Sequence, residues 1–324
     1  MNIIILGAAG FIGTNLTMAL AKEKDENNNY INHITLFDRE AVGLSHIIKF
    51  GFPNTSIMTG NFNMESDFEA ITLNQDIVYH LISTTVPTTS NQHIAQELTA
   101  NVIVTSKLLE ACVKNNIKKV VFLSSGGTVY GKEKEMPLKE DTATNPISAY
   151  GIQKVTIEKL LYLYRYMYGL DYRVIRLSNP YGPYQRPNGV LGAVTTFTYK
   201  ALMGEPVTVY GDGSVIRDFI YIDDAVRGIM NIVQGENKRR TFNLGYGKGT
   251  SIREVISTIQ DTLGIDMDVK YIVGRKVDLP INVLDISLYE ETFGKLDSIS
   301  LACGIEKTAA FMKKAYDIEK EPIL

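Results

Sequence analysis

The sequence predicts a doubly wound α/β fold: a parallel sheet covered by helices on both faces, with a smaller mixed C-terminal lobe. Three observations carry this reading. Short runs that are apolar at every position alternate with helical stretches through the first half, as expected of strands buried on both faces. A glycine trio, Gly7-Ala8-Ala9-Gly10-Phe11-Ile12-Gly13, follows the first run and opens the first helix. An acid, Asp38, closes the second run.

Taken in order, Ile3–Leu6 reads as a strand and Phe11 to about Lys22 as a helix. The polar, Asn-rich stretch Lys22–Asn32 is a solvated connection, His33–Phe37 the second strand, and Ile77–Ile82 a later one. Leu98–Asn115 places Val102, Thr105, Leu108, Leu109 and Cys112 at three- and four-residue spacing, which predicts a helix. Lys119–Ser124 is a strand, Tyr150–Tyr168 a long helix and Tyr172–Leu177 a strand. Beyond Ser178, glycine and proline punctuate short segments (Asn179-Pro180-Tyr181-Gly182-Pro183, Gly204-Glu205-Pro206, Gly211-Asp212-Gly213), predicting a lobe built largely of loops. The expected division is a dinucleotide-binding domain over 1–178, joined by return segments near 219–245, and a second lobe mainly over 179–324.

Composition sets bounds. With 324 residues, 45% hydrophobic and 21% charged, the chain has the make-up of an ordinary globular protein. A net charge of −3 supplies no basic field for nucleic acid, so an anionic ligand must be held by local charges and backbone dipoles. Cys112 and Cys303 are too few for a disulfide framework, and four scattered histidines (His33, His46, His80, His93) show no metal-ligand spacing. The apolar opening run is too short for a membrane span and no basic leader precedes it, so the expectation is a cytoplasmic protein with no membrane and no metal.

The glycine trio suits a pyrophosphate: glycine permits the tight turn and close backbone approach, and the helix N-terminus adds a positive dipole end. A bare strand–turn–helix bend would give the same trio. The carboxylate of Asp38 adds a partner for both ribose hydroxyls and repels a 2′-phosphate, which favours NAD, with the neighbouring Arg39 keeping NADP as the alternative.

Tyr150-Gly151-Ile152-Gln153-Lys154 opens the long helix, and an i, i+4 pair shares one face. A tyrosine with a pKa near ~10 is a poor base at neutral pH. A nearby ammonium and a cationic nicotinamide both favour the phenolate, which makes acid–base catalysis feasible. Alone, this spacing is common and reads equally as a surface pair. Its context is Ser124-Ser125-Gly126-Gly127-Thr128-Val129-Tyr130-Gly131 at the C-terminal end of a predicted parallel strand, where ligands of such sheets bind.

With those motifs in order, the chain resembles the extended short-chain dehydrogenase/reductases, and among them the sugar-nucleotide epimerases typified by UDP-glucose 4-epimerase. The resemblance spans essentially the whole chain, continuing through Thr99-Ala100-Asn101-Val102, Arg176 to Pro183, Arg217 to Asp224 and Arg275-Lys276-Val277-Asp278. It implies NAD as cofactor, held at Gly7, Gly10, Phe11, Ile12, Gly13, Asp38, Asn61, Phe62, Leu81, Asn101 and Lys154. Asn61 stands where relatives usually carry an aspartate. It implies Tyr150 as the proton shuttle, Lys154 on the nicotinamide ribose, and substrate contacts from Thr85, Asn179, Val190, Arg217, Arg275 and Asp278. The two arginines would clamp a diphosphate, and the implied partners are a UDP-linked sugar and a second copy in a homodimer.

Departures from the family pattern matter as much. The usual catalytic Ser or Thr falls on Gly126, which leaves Ser125 and Thr128 as candidate hydroxyls. After Tyr79-His80-Leu81, Ile82-Ser83 stands where two small alanines are common, followed by Thr84 and Thr85, and those hydroxyls either touch the hexose or cap a turn. No acid stands at Gly127 or Thr128, which disfavours the elimination chemistry of dehydratases. The implied reaction is 4-epimerisation through a transient 4-keto sugar. Alternatives are a 4-ketoreductase and, from a different class, a non-catalytic NAD sensor or scaffold. Asn282 falls where the 4-epimerases carry a bulky residue that bars N-acetylated sugars, and its small size suggests that an N-acetylhexosamine fits.

Overall fold

The structure is a computed structural model that describes residues 1–84, 90–133, 135–189, 192–274 and 279–318. β1 (Asn2–Leu6), α1 (Phe11–Leu20), β2 (His33–Asp38), α2 (Ala41–Ile48), β3 (Thr55–Thr59), α3 (Phe68–Thr72) and β4 (Ile77–His80) form the first half of a doubly wound sheet. Ile3, Ile4, Ile5 and Leu6 are all buried, because helices cover both faces of β1. Each such side chain contributes roughly 1.5–3 kcal/mol on burial.

The second half opens differently from the sequence expectation. A continuous helix was expected from Leu98, but α4 (Ile94–Leu98) passes through a π-helical turn, Thr99–Ile103, into α5 (Val104–Lys114). The extra residue in that turn is the place where Asn101 leaves the α-helical register to bond the loop after β4, a use for which such bulges recur.

Next come β5 (Lys119–Ser125), α6 (Ala149–Tyr168) and β6 (Asp171–Leu177). Ser148 caps α6 by accepting from Gly151 N at 3.1 Å, and Gly169 ends it in the left-handed conformation, φ +73°.

The remaining elements are β7 (Asn179–Tyr181), α7 (Ala193–Met203), β8 (Val207–Tyr210), β9 (Ile216–Tyr221), α8 (Ile222–Gln234) and β10 (Thr241–Leu244), followed by β11 (Gly249–Ser251), α9 (Ile252–Leu263), β12 (Val269–Ile272), β13 (Ile281–Asn282), α10 (Ser287–Phe293) and α11 (Leu301–Ala315). This part is not built largely of loops. Helices and short strands run through it, and some of the glycines that read as loop are helix C-caps, Gly204 and Gly264 both left-handed.

Seven strands make one parallel sheet in the order β10-β6-β5-β4-β1-β2-β3. The order reverses between β1 and β4, and the C-terminal ends flanking that point form the crevice where such sheets take ligands. β10 returns to the sheet beside β6, and α8 packs on α1. The strands β7, β11 and β13 gather around β9, while β8 and β12 pair separately. The two parts are stitched together across the crevice. Asn15 Nδ2 donates to Pro183 O at 3.0 Å, and Asn282 Nδ2 donates to Gly126 O at 3.2 Å.

Candidate active site

At the start of the crevice the chain turns from β1 into α1. Gly7 takes φ +91°, and a Cβ on Gly13 would lie 2.3 Å from Gly7 O, so the trio lets the helix start close against the strand. Gly10 is the N-cap and, having no side chain, makes no cap bond to the first-turn N–H groups of α1. Asp38 lies beside them: one carboxylate oxygen accepts from Ala9 N at 2.9 Å and the other from Arg39 N at 2.8 Å. An uncapped helix N-terminus next to a fixed carboxylate fits a dinucleotide with a free ribose diol.

A cavity of about 330 Å³ opens at the ends of β2 and β3, lined by Phe37, Met58, Gly60, Asn61, Ser66 and Ile71 among others. Asn61 is exposed there and its carbonyl accepts from Ser66 Oγ at 2.5 Å. Phe62 is buried against Phe68 and His80, and Leu81 is half-buried after β4. The buried side chain of Asn101 is fully engaged. Its Oδ1 accepts from Thr84 N at 3.2 Å, and Nδ2 donates to Thr84 Oγ1 and Glu97 O, both at 2.9 Å. It holds the loop that borders the crevice, which also absorbs Thr84.

The C-terminal end of β5 meets the first turns of α6. Ser90 Oγ and Asn91 Oδ1 accept from the N–H groups of Tyr150 and Ala149 at 3.1 and 2.7 Å, locking the helix start. Ser125 is hydrogen-bonded to the Tyr150 side chain. Lys154 is buried, donates to Leu123 O at 2.8 Å, and lies 5.5 Å from the centre of the Tyr150 ring. Burial pushes Tyr150 up to about 12, with the Ser125 bond pulling the other way. Burial also brings Lys154 down to about 8, opposed by the charge of Glu158. The ammonium is turned toward Leu123 O while still lying over the Tyr150 ring. His80 sits nearby, driven down to about 3 by burial first and by the Lys154 charge second, so it stays neutral.

The two candidate hydroxyls part company. Ser125 reaches Tyr150, whereas Thr128 Oγ1 is buried without a hydrogen-bond partner among the described residues. Gly126 has no room for a side chain: a Cβ there would meet Leu284 at 2.5 Å and Arg176 O at 3.1 Å. Asn282 is also buried, bonded to the Gly126 carbonyl.

On the far wall, Asn179 Nδ2 donates to Asp218 O at 2.9 Å, and Arg217 Nη1 donates to Ile216 O and Leu279 O at 2.8 and 2.6 Å. The remaining expected contacts, Thr85, Val190, Arg275 and Asp278, lie outside the described residues. Sequence reasoning missed the helix-start clamp from Ser90 and Asn91. It also missed the buried Glu158, although an acid four residues beyond Lys154 was a visible signal.

Comparison with known proteins extends this picture. Residues 3–245 match the model of the NAD dependent epimerase/dehydratase family. The chain is 32% identical to UDP-glucose 4-epimerase of Mycolicibacterium smegmatis over 97% of this chain and 99% of that protein. In structure it is similar to UDP-glucose 4-epimerase of Thermotoga maritima bound to UDP-glucose (TM-score 0.88, 31% identity, 98% and 100% of the two chains). A second similar structure is UDP-N-acetylglucosamine 4-epimerase of Methanobrevibacter ruminantium bound to UDP-N-acetylmuramic acid (TM-score 0.88, 30% identity, 97% and 98%).

Proposed function

This chain belongs to the NAD dependent epimerase/dehydratase family, and from that premise we propose that it inverts carbon 4 of a UDP-linked hexose. The observation that carries this is the meeting of Ser125, Tyr150 and Lys154 at the strand ends beside the glycine turn. Gly7, Gly10, Gly13 and the first turn of α1 hold the pyrophosphate, and Asp38 the adenosine ribose, with Asn61 at the adenine. NAD, when bound, supplies a hydride acceptor that is regenerated and a positive ring beside the phenol.

Tyr150 takes the proton of the sugar hydroxyl and returns it, with Ser125 orienting that hydroxyl and its own bond to the phenol favouring the ionised form. Lys154, half in its ammonium form near pH 8, orients the nicotinamide ribose. Asn179 and Arg217 meet the sugar nucleotide in this reading; the resemblance assigns further contacts to Thr85, Val190, Arg275 and Asp278, which lie outside the described residues. The exposed face of α6, Ile152, Tyr162, Tyr166 and Met167, is the contact of a homodimer. Sedimentation tests this: Tyr166→Lys is expected to yield a monomer, and a wild-type chain that is already monomeric removes the dimer.

The hexose is read from Asn282. Its side chain is smaller than the bulky residue of the 4-epimerases and is bonded to Gly126 O, which suits an N-acetylhexosamine, the substrate class named for the M. ruminantium relative. Purified protein incubated with UDP-glucose, UDP-N-acetylglucosamine and UDP-glucuronate without added cofactor is expected to interconvert gluco and galacto forms with no net NADH. A requirement for stoichiometric NAD(P)H would replace epimerase by 4-ketoreductase. Turnover confined to UDP-glucose would remove the N-acetyl reading. Tyr150→Phe is expected to lower turnover by at least about 100-fold while NAD stays bound.

A further inference from the structure

Three consecutive residues of β5 hold three consecutive turns of α6. Ser125 bonds Tyr150, Leu123 O accepts from Lys154, and Ser124 Oγ donates to Glu158 at 2.5 Å. Tyr150, Lys154 and Glu158 stand at i, i+4 and i+8, one face of the helix. Only the first two belong to the acid–base pair. Glu158 is buried below them, and its carboxylate is gripped by Arg176 of β6, Nη2 to Oε2 at 2.7 Å and Nε to Oε1 at 3.2 Å.

The grip is extended outward. Arg176 Nη1 donates to Tyr130 OH at 3.0 Å and to Glu140 O at 2.9 Å, and Tyr130 OH donates to Asn243 Oδ1 at 2.5 Å. Asn243 N in turn donates to Glu140 Oε1, and its Nδ2 donates to Leu138 O and Asp285 O. The pair is thus anchored to β10, to the loop after β5 and to the segment that sets Leu284 against Gly126. A buried ion pair is poor evidence for stability in itself, since desolvation offsets much of its attraction. Its placement one turn from Lys154 points to another use.

We propose that Glu158, fixed by Arg176 and Ser124 one helical turn behind Lys154, is a positioning residue that acts on Lys154 of the acid–base pair. This rests on the functional reading above. Burial favours the neutral amine, and the Glu158 carboxylate is the charge that opposes it. The other groups around Lys154 do not do this. Tyr150 on α6 is held protonated by burial, and His80 on β4 is neutral. Tyr130 and Glu140 after β5 bond the Arg176 network instead. Glu97 belongs to α4, which packs against α6. Lys107 and Glu110 of α5 lie toward Met64 and Tyr164.

The test uses the NAD-bound protein and two readouts: the Lys154 titration, followed by NMR of side-chain-labelled lysine, and the pH profile of kcat/KM for the best UDP-sugar. Glu158→Gln leaves the Arg176 charge unbalanced, so the Lys154 titration is expected to move down by about one unit. The alkaline limb of the profile should follow it, with kcat/KM about tenfold lower near pH ~9 and little changed near pH ~6. Glu158→Asp keeps the charge and should keep the limb in place even if the maximum rate falls. Where Glu158→Gln does not fold, the double variant Glu158→Gln with Arg176→Met leaves no unpaired charge, and should shift the limb in the same direction by less. A titration and limb unmoved in the folded variants, with only thermal stability reduced, would overturn the proposal. Because the NMR titration needs no turnover, failure to epimerise any UDP-sugar counts against the functional reading and leaves the Glu158 test standing.

Discussion

At the scale of single residues, the question left open by Gly126 is decided by contact. Ser125 and Thr128 are three positions apart on the same strand end and turn, yet only Ser125 bonds the phenol. Ser125→Ala is expected to lower kcat about 10- to 100-fold, the range of a hydrogen bond to a charged group. Thr128→Val removes a buried hydroxyl that has no partner among the described residues, so it should leave kcat within about threefold and the melting temperature equal or higher. Steady-state kinetics with thermal melts on both variants checks this, and the reverse order would make Thr128 the active hydroxyl. Tyr150, Lys154, Asp38 and the glycine trio were all legible in the sequence, because each follows from a fixed spacing at a strand end. Glu158 and Arg176 were not given roles, because their pairing crosses from a helix to a neighbouring strand, eighteen positions on.

At the scale of elements, the strand ends are held by packing as much as by hydrogen bonds. Gly126 donates its N–H to Leu177 O at 2.9 Å and lies under Leu284, while Asn282 takes its carbonyl. Restoring the family's hydroxyl by Gly126→Ser should therefore not improve the enzyme. The added Cβ must displace Leu284, at a cost of about 1–3 kcal/mol. A lowered melting temperature with kcat no higher than wild type is expected, and a variant of unchanged stability with a raised kcat would show that the pocket yields. Strands such as β1, β2 and β5 were legible because an apolar run buried on both faces has no other reading at that length. The π turn at Asn101 was not, since a single extra residue leaves the three- and four-residue spacing around it almost intact. The helices of the second half were hidden by their own glycine caps, which read as loop from the sequence alone.

At the scale of the whole molecule, Asp218 ties the second lobe together. It is fully buried and accepts from Tyr246 N, Gly247 N and Leu284 N at 2.8, 3.2 and 3.4 Å. Burial pushes its pKa up to about 6 despite those donors. Between pH ~4 and ~6 the folded protein therefore holds a proton there that the unfolded chain has released. The Asp218 contribution to stability is full below that window and is lost as the pH rises through it, a change on the order of 2–3 kcal/mol. Asp218→Asn has no such titration. The stability of wild type relative to this variant, from denaturant melts, is expected to decline across the window and level off above it. A difference independent of pH would mean that Asp218 is not the group responsible.

The sequence by itself determined the doubly wound parallel sheet, the glycine turn after its first strand and the Tyr150–Lys154 pair. Those features depend on local periodicity, on glycine's backbone freedom and on one-turn helical spacing, which the order of residues states directly. The tertiary structure alone decided that Ser125 serves the phenol, that Leu284 fills the place of the missing side chain at Gly126, and that Glu158 stands behind Lys154. The Ser125–Tyr150 bond and the Ser124 and Arg176 bonds to Glu158 join α6 to β5 and β6, and Leu284 reaches Gly126 from the segment after β13, so each depends on packing between elements. Burial there sets the charge of Tyr150 and Lys154 more strongly than their neighbours in sequence do.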